Sequence, residues 1–97
     1  IYVSAHNHAF DPLDYLYAIP AARVRQIHLA GYEDRGTHLL DTHGHPVSDP
    51  VWDLYAAAIR HLGATPTLIE WDNDVPTLDR LLAEASKAAK VQADVLA

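Results

Sequence analysis

The sequence predicts an α/β fold: the last three β/α units of an eight-unit (β/α)8 TIM barrel, with parallel strands. Two observations carry this reading. Short β-branched runs alternate with amphipathic helical stretches in the order β-α-β-α-β-α, a pattern that favours a parallel sheet. Three such units cannot close a barrel, yet one strand face carries Gln26 and His28 and another carries Glu70. Polar residues there suit the mouth of a barrel better than a sheet covered by helices on both sides. Residues 1–97 read as a single partial domain with no internal boundary, repeat or low-complexity segment.

Taken in order, Ile1 to Ala5 is β-branched and aromatic and predicts a strand, so the chain is expected to open inside a longer protein. His6 to Phe10 then forms a polar loop. Asp11-Pro12 opens a helix, with Asp as the N-cap acceptor and Pro where no donor is needed. Leu13, Leu16 and Tyr17 form its apolar face, and Pro20 stops it. Val24 to Ala30 is the second strand: Gln26, His28 and Ala30 share one face, Ile27 and Leu29 the other. Gly31 ends it. The long connection from Tyr32 to Ser48 is expected to be an ordered functional loop anchored by Leu39-Leu40. Asp49-Pro50 opens the second helix by the same device. Val51, Leu54, Tyr55, Ala58, Ile59 and Leu62 give it an i, i+3, i+4, i+7 stripe, and Gly63 stops it. Thr67 to Trp71 is the third strand. Val75-Pro76 introduces a last helix on Leu78, Leu81, Leu82 and Ala85, with a tail from Ser86 expected to fray.

Composition removes several function classes. There is no cysteine, hence no disulfide, thiolate ligand or cysteine nucleophile. The net charge is -6 and the seven Lys and Arg residues are scattered, which argues against nucleic acid as a partner. No apolar run approaches a membrane span and no signal peptide is visible, so the default expectation is a cytoplasmic protein. Glycine-rich phosphate loops, a serine nucleophile elbow and a His-Glu-x-x-His helix are all missing. What stands out is histidine. Seven occur from His6 to His61, about three times an average share.

Barrel chemistry sits at the C-terminal strand ends and in the loops beyond them. His28 and Glu70 fall there on neighbouring strands, and Asp41, His43 and His45 lie in the loop after the first. Imidazole and carboxylate without thiolate suit iron, manganese or zinc. The candidate metal ligands are therefore His28, Asp41, His43 and Glu70. His6, Asn7, His8, His45 and Asp72 are candidates for outer-shell or substrate contact. His38 and His61 read as surface residues, and Trp52 and Trp71 as packing residues. No residue is singled out as an acid, base or nucleophile.

Four ordered segments, YVSAHNHAFDP, RVRQIHLAG, LLDTHGHPVSDPVWDLY and PTLIEWDNDVP, resemble the C-terminal part of the multinuclear non-haem iron-dependent oxidative enzymes (MNIO). That family was formerly described as uncharacterised xylose-isomerase-like TIM barrels, and the resemblance runs from Tyr2 to about Ala85. It implies a full barrel holding two or three iron ions. It also implies dioxygen-dependent modification of cysteine or other residues in a ribosomally made peptide, with a partner protein that presents the peptide. Carried over by motif, the ligands are His28 in QIHLAG, Asp41 and His43 in DTH, and Glu70 in LIEWD. The family's remaining ligands would precede Ile1, so this chain alone is expected to be inactive without the remainder of the barrel. Two positions depart from the family pattern: Ala9, where Gly is frequent, and Tyr32, where His is frequent. Two alternatives stay open. One is a manganese or zinc isomerase or hydrolase on the same barrel, which would keep full activity without dioxygen. The other is a non-catalytic piece that binds partners through an open sheet edge.

Overall fold

The computed structural model describes all residues, Ile1–Ala97, as four helices and four short strands. In chain order these are α1 (Tyr2–His8), α2 (Pro12–Ala18), β1 (Ile27–Ala30), β2 (Glu33–Asp34), β3 (Leu39–Leu40), α3 (Asp49–Leu62), β4 (Thr67–Glu70) and α4 (Leu78–Leu96). A 3-10 turn at Ala21–Arg23 precedes β1. β1 and β4 pair in parallel, with Ile27 opposite Thr67 and Ala30 opposite Glu70, and α3 lies on the crossover between them. β2 and β3 form a separate antiparallel hairpin. The molecule is thus a mixed α/β fold with a two-stranded parallel sheet, consistent with part of a barrel. Two parallel strands replace the three expected.

The missing strand is the first. Ile1 to Ala5 predicts β structure by composition, yet the segment winds into α1, with the Ala5 N–H donating to the Ile1 carbonyl at 2.9 Å. A run this short carries little intrinsic preference, and packing decides it. Ala5 is buried, α1 contacts β3 and α3, and the Asn7 side chain exchanges two hydrogen bonds with the Leu39 backbone. α1 ends at Ala9 in a left-handed conformation, φ 55°.

α2 starts as its sequence dictates, with Asp11 accepting from the Leu13 N–H at 2.8 Å and Pro12 in the first turn. α3 differs by one position. Its N-cap is Ser48, in extended conformation, so Asp49 lies inside the first turn, where it complements the helix dipole rather than capping it. The paired part of the second strand begins only at Ile27, after the 3-10 turn. The long connection is ordered as expected, with Leu39 buried while Asp34 and Gly36 close the hairpin tip. α4 corrects the expected fraying: it continues to Leu96 because Ala88, Val91 and Val95 pack on the core.

The main core lies against the Ile27, Leu29 and Ile69 face of the sheet. Leu29, Val47, Trp52, Tyr55, Ile59 and Ala88 form it, with α3 and α4 supplying most of the cover. A smaller cluster of Leu16, Ala57 and Ala58 fastens α2 to α3. His61, expected at the surface, is half-buried and donates from Nε2 to the Ile19 carbonyl at 3.1 Å, tying α3 to the end of α2. At the start of β4, Gln92 donates to the Tyr55 hydroxyl and the Thr65 carbonyl, and Tyr55 bonds Thr67. This polar network satisfies groups that would be costly to bury alone. The opposite sheet face, with His28, Leu68 and Glu70, is left without helical cover: Leu68 is 50% exposed. No helix is long and apolar enough to cross a membrane.

Candidate metal centre

Alternation along β1 turns Leu29 into the core and His28 away from it, and β4 does the same with Ile69 and Glu70. Because His28 stands opposite Leu68, Glu70 is its diagonal neighbour on the adjacent strand, close enough for side chains to touch. They do: His28 Nδ1 contacts Glu70 Oε1. The other Glu70 oxygen lies 3.0 Å from His43 Nδ1. His43 Nε2 is 2.9 Å from Asp41 Oδ1, and Asp72 Oδ2 is 2.9 Å from His43 Nδ1. The four residues named from the sequence, His28, Asp41, His43 and Glu70, thus join one connected cluster, and Asp72 joins them.

The ring of His43 is the hub. It faces carboxylates at both nitrogens, and an imidazole donates at both only when protonated. Its pKa is accordingly raised from the ordinary 6.5, first by the hydrogen bond to Asp72, against a lowering by burial. The fields of Asp41, Glu70 and Asp72 add to the rise. Ligand atoms of His43, Glu70 and Asp72 all lie within 4.8 Å of one another, a spacing one cation can bridge. Three carboxylates around two imidazoles leave an excess of negative charge that a divalent cation would neutralise. The donor set, nitrogen and oxygen without sulfur, fits iron, manganese or zinc.

The loop that carries Asp41 and His43 is held from outside. His43 adopts φ 53°, and its carbonyl accepts the N–H groups of Asp72 at 2.7 Å and Asn73 at 3.2 Å. Asn73 Nδ2 also donates to the Thr42 carbonyl at 2.6 Å. The segment that follows Glu70 at the end of β4 therefore fixes the backbone of another proposed ligand, His43. Gly31 brings the far end of the same loop against β1, with the His45 and Pro46 backbone where a β-carbon would stand. The sequence shows this glycine only as a strand end. Asn73 gave no signal beyond its loop position, because its partners lie 31 residues away.

The remaining candidates are placed apart from the cluster. His45 is exposed, with Nδ1 3.4 Å from the Thr42 hydroxyl. His6 is exposed beside the Tyr2 ring, His8 is exposed at the end of α1, and Asn7 binds the β3 backbone. A cleft of about 480 Å³ opens over the site, lined by His28, Asp41, His43 and Glu70 and otherwise mainly by apolar side chains. Tyr2 and Tyr32 line it too, their ring centroids 5.4 Å apart. Burial, then the bond to Tyr32, pushes the Tyr2 hydroxyl pKa up.

The family model described as RiPP precursor modification enzyme MbnB/TglH/ChrH matches residues 1–93. The chain belongs to that family. Among its relatives, a UPF0276 protein of Anaeromyxobacter sp. (strain Fw109-5) is 57% identical over 97 residues, covering 100% of this chain and 34% of the relative. A UPF0276 protein of Acaryochloris marina is 57% identical over 88 residues, 91% of this chain and 32% of its own length. One from Vibrio parahaemolyticus is 52% identical over 93 residues, 92% of this chain and 32% of its own length. The chain therefore spans about a third of the curated relatives it matches. No solved structure matches it.

Proposed function

We propose that residues 1–97 are one partial domain supplying part of the metal site of a RiPP precursor modification enzyme. In this reading the longer protein is a (β/α)8 barrel that uses iron, as two or three ions, and dioxygen to oxidise cysteine or other residues of a ribosomally made peptide. The observation that carries it is the single cluster formed by His28 and Glu70 on two adjacent parallel strands with Asp41 and His43 from the connection that follows β1. Membership of a peptide-modifying family supports the peptide as substrate.

His28, Asp41, His43 and Glu70 would hold the metal, with Asp72 beside them orienting His43 through Nδ1. Bound iron supplies the redox chemistry with dioxygen. The chain's own part is to bind and orient. Glu70 spans the two histidines, and mainly apolar side chains line the cleft beside the cluster. Tyr2 and Tyr32 line the same cleft, offering two phenol side chains to a peptide bound there. The rest of the barrel and a peptide-presenting partner protein complete the assembly in this reading.

The test is metal analysis and oxygen uptake on the anaerobically purified longer protein. Iron at two or more equivalents, with dioxygen consumed only when a cysteine-bearing precursor peptide is added, is expected. Loss of iron in His43→Ala and Glu70→Gln locates it. Full activity without dioxygen on manganese or zinc would overturn the oxidative reading in favour of an isomerase or hydrolase.

A further inference from the structure

Glu84 is an acidic side chain buried in α4, only 4% exposed, and the cluster described above does not contain it. Its two oxygens face different partners. Oε2 accepts the backbone N–H of Val47 at 3.0 Å, and Oε1 accepts from Arg80 Nη1 at 3.0 Å. Val47 lies four residues after His43, where the loop bearing Asp41 and His43 enters the core beside Leu29 and Trp52. Arg80 reaches the other way, its guanidinium 5.8 Å from the centre of the Trp71 ring. Trp71 stands between Glu70 and Asp72 in the chain.

From this we infer that Glu84 is a positioning residue, setting the loop that bears Asp41 and His43 at a fixed separation from the segment that bears Glu70 and Asp72. The consequence for metal affinity rests on the reading of the cluster as a metal site; the positioning itself does not. The physical reason is the lack of regular structure between Asp41 and Ser48. An irregular loop has few hydrogen bonds of its own, so a buried acceptor on a rigid helix outweighs its single bond. Removing it leaves the Val47 N–H buried without a partner, a costlier change than losing an exposed bond. Arg80 over Trp71 extends the same anchor to the strand end.

Amide hydrogen exchange on the metal-free longer protein, paired with Co(II) titration followed by d–d absorption, tests this. In Glu84→Ala, exchange over residues 41–47 and 71–73 should rise about tenfold while α3 keeps its protection. Co(II) affinity should fall about tenfold with a shifted absorption band. Glu84→Gln keeps an acceptor for Val47 and should restore protection of residues 41–47. A folded Glu84→Ala whose loops exchange at the wild-type rate overturns the proposal, as does one that binds Co(II) with the wild-type affinity and spectrum. If Glu84→Ala does not fold, Arg80→Met decides: exchange should rise at 71–73 and not at 41–47, and no change at 71–73 refutes the coupling. Wild-type longer protein that takes up no Co(II) but shows the expected exchange pattern overturns the metal reading and leaves the positioning role standing.

Discussion

Replacing Gly31 by alanine adds one methyl group at the point where β1 meets the loop of proposed ligands. Gly31 does not have a left-handed φ, so backbone strain is not the issue. Space is. A β-carbon there would lie 2.0 Å from the His45 carbonyl oxygen, 2.5 Å from its carbon and 2.5 Å from the Pro46 oxygen. Ordinary contacts begin near 3.4 Å, so one backbone segment must retreat by more than an ångström. The obstruction is main chain and cannot rotate away as a side chain would. Overpacking of this kind costs about 1–3 kcal/mol, and the upper end is expected here. For a chain of this size about 3 kcal/mol lowers Tm by more than ~12 °C. Gly36→Ala is the contrasting variant. It has φ 80° and nothing within 4 Å, so it should lose only about 1 kcal/mol from left-handed strain. Urea unfolding followed by fluorescence of the buried Trp52 reads both. If Gly31→Ala is no more destabilising than Gly36→Ala, the close approach of the 45–46 backbone is wrong.

Three further outcomes are expected. Ala9→Gly should stabilise the chain by about 0.5–1 kcal/mol, since an L-residue at φ 55° carries left-handed strain that glycine relieves at some entropic cost; thermal melts read this. Ile59→Ala, at a fully buried position in the α3 core, should cost about 3–4 kcal/mol in urea unfolding. The His43 contribution should depend on pH in the metal-free chain. Its folded pKa is raised, so the stabilisation is complete below the ordinary value of 6.5 and is lost as pH climbs through the higher folded value. His43→Ala should therefore be more destabilised relative to wild type at pH about 5.5 than at about 8.5. A deficit that grows towards alkaline pH would reverse this reasoning.

Much of the candidate site was legible because strand alternation is strict. Once Leu29 and Ile69 are read as core, His28 and Glu70 must face the other way. The Asp-Thr-His spacing placed two more donors in one loop. Asp72 was visible only as an outer contact, because its closeness to His43 Nδ1 depends on how the segment after β4 meets a loop 29 residues earlier. Glu84 could not be found: in sequence it is one more acidic residue on a helix with an i,i+4 partner in Arg80, and its bond to the Val47 N–H, 37 residues earlier, is a tertiary fact.

The sequence by itself determined α3, the N-terminus of α2, the faces of β1 and β4, and the chemical character of the donor set. Each of these follows from local periodicity, capping chemistry or residue type, which neighbours a few positions away are enough to specify. Only the tertiary structure decided that Ile1 to Ala5 coils into a helix, that Ser48 rather than Asp49 takes the N-cap position of α3 without a side-chain cap bond, and that α4 runs on to Leu96. In those places local preference is weak, and buried contacts with distant residues — Leu39 for α1, the main core for α4 — supply the larger free energy.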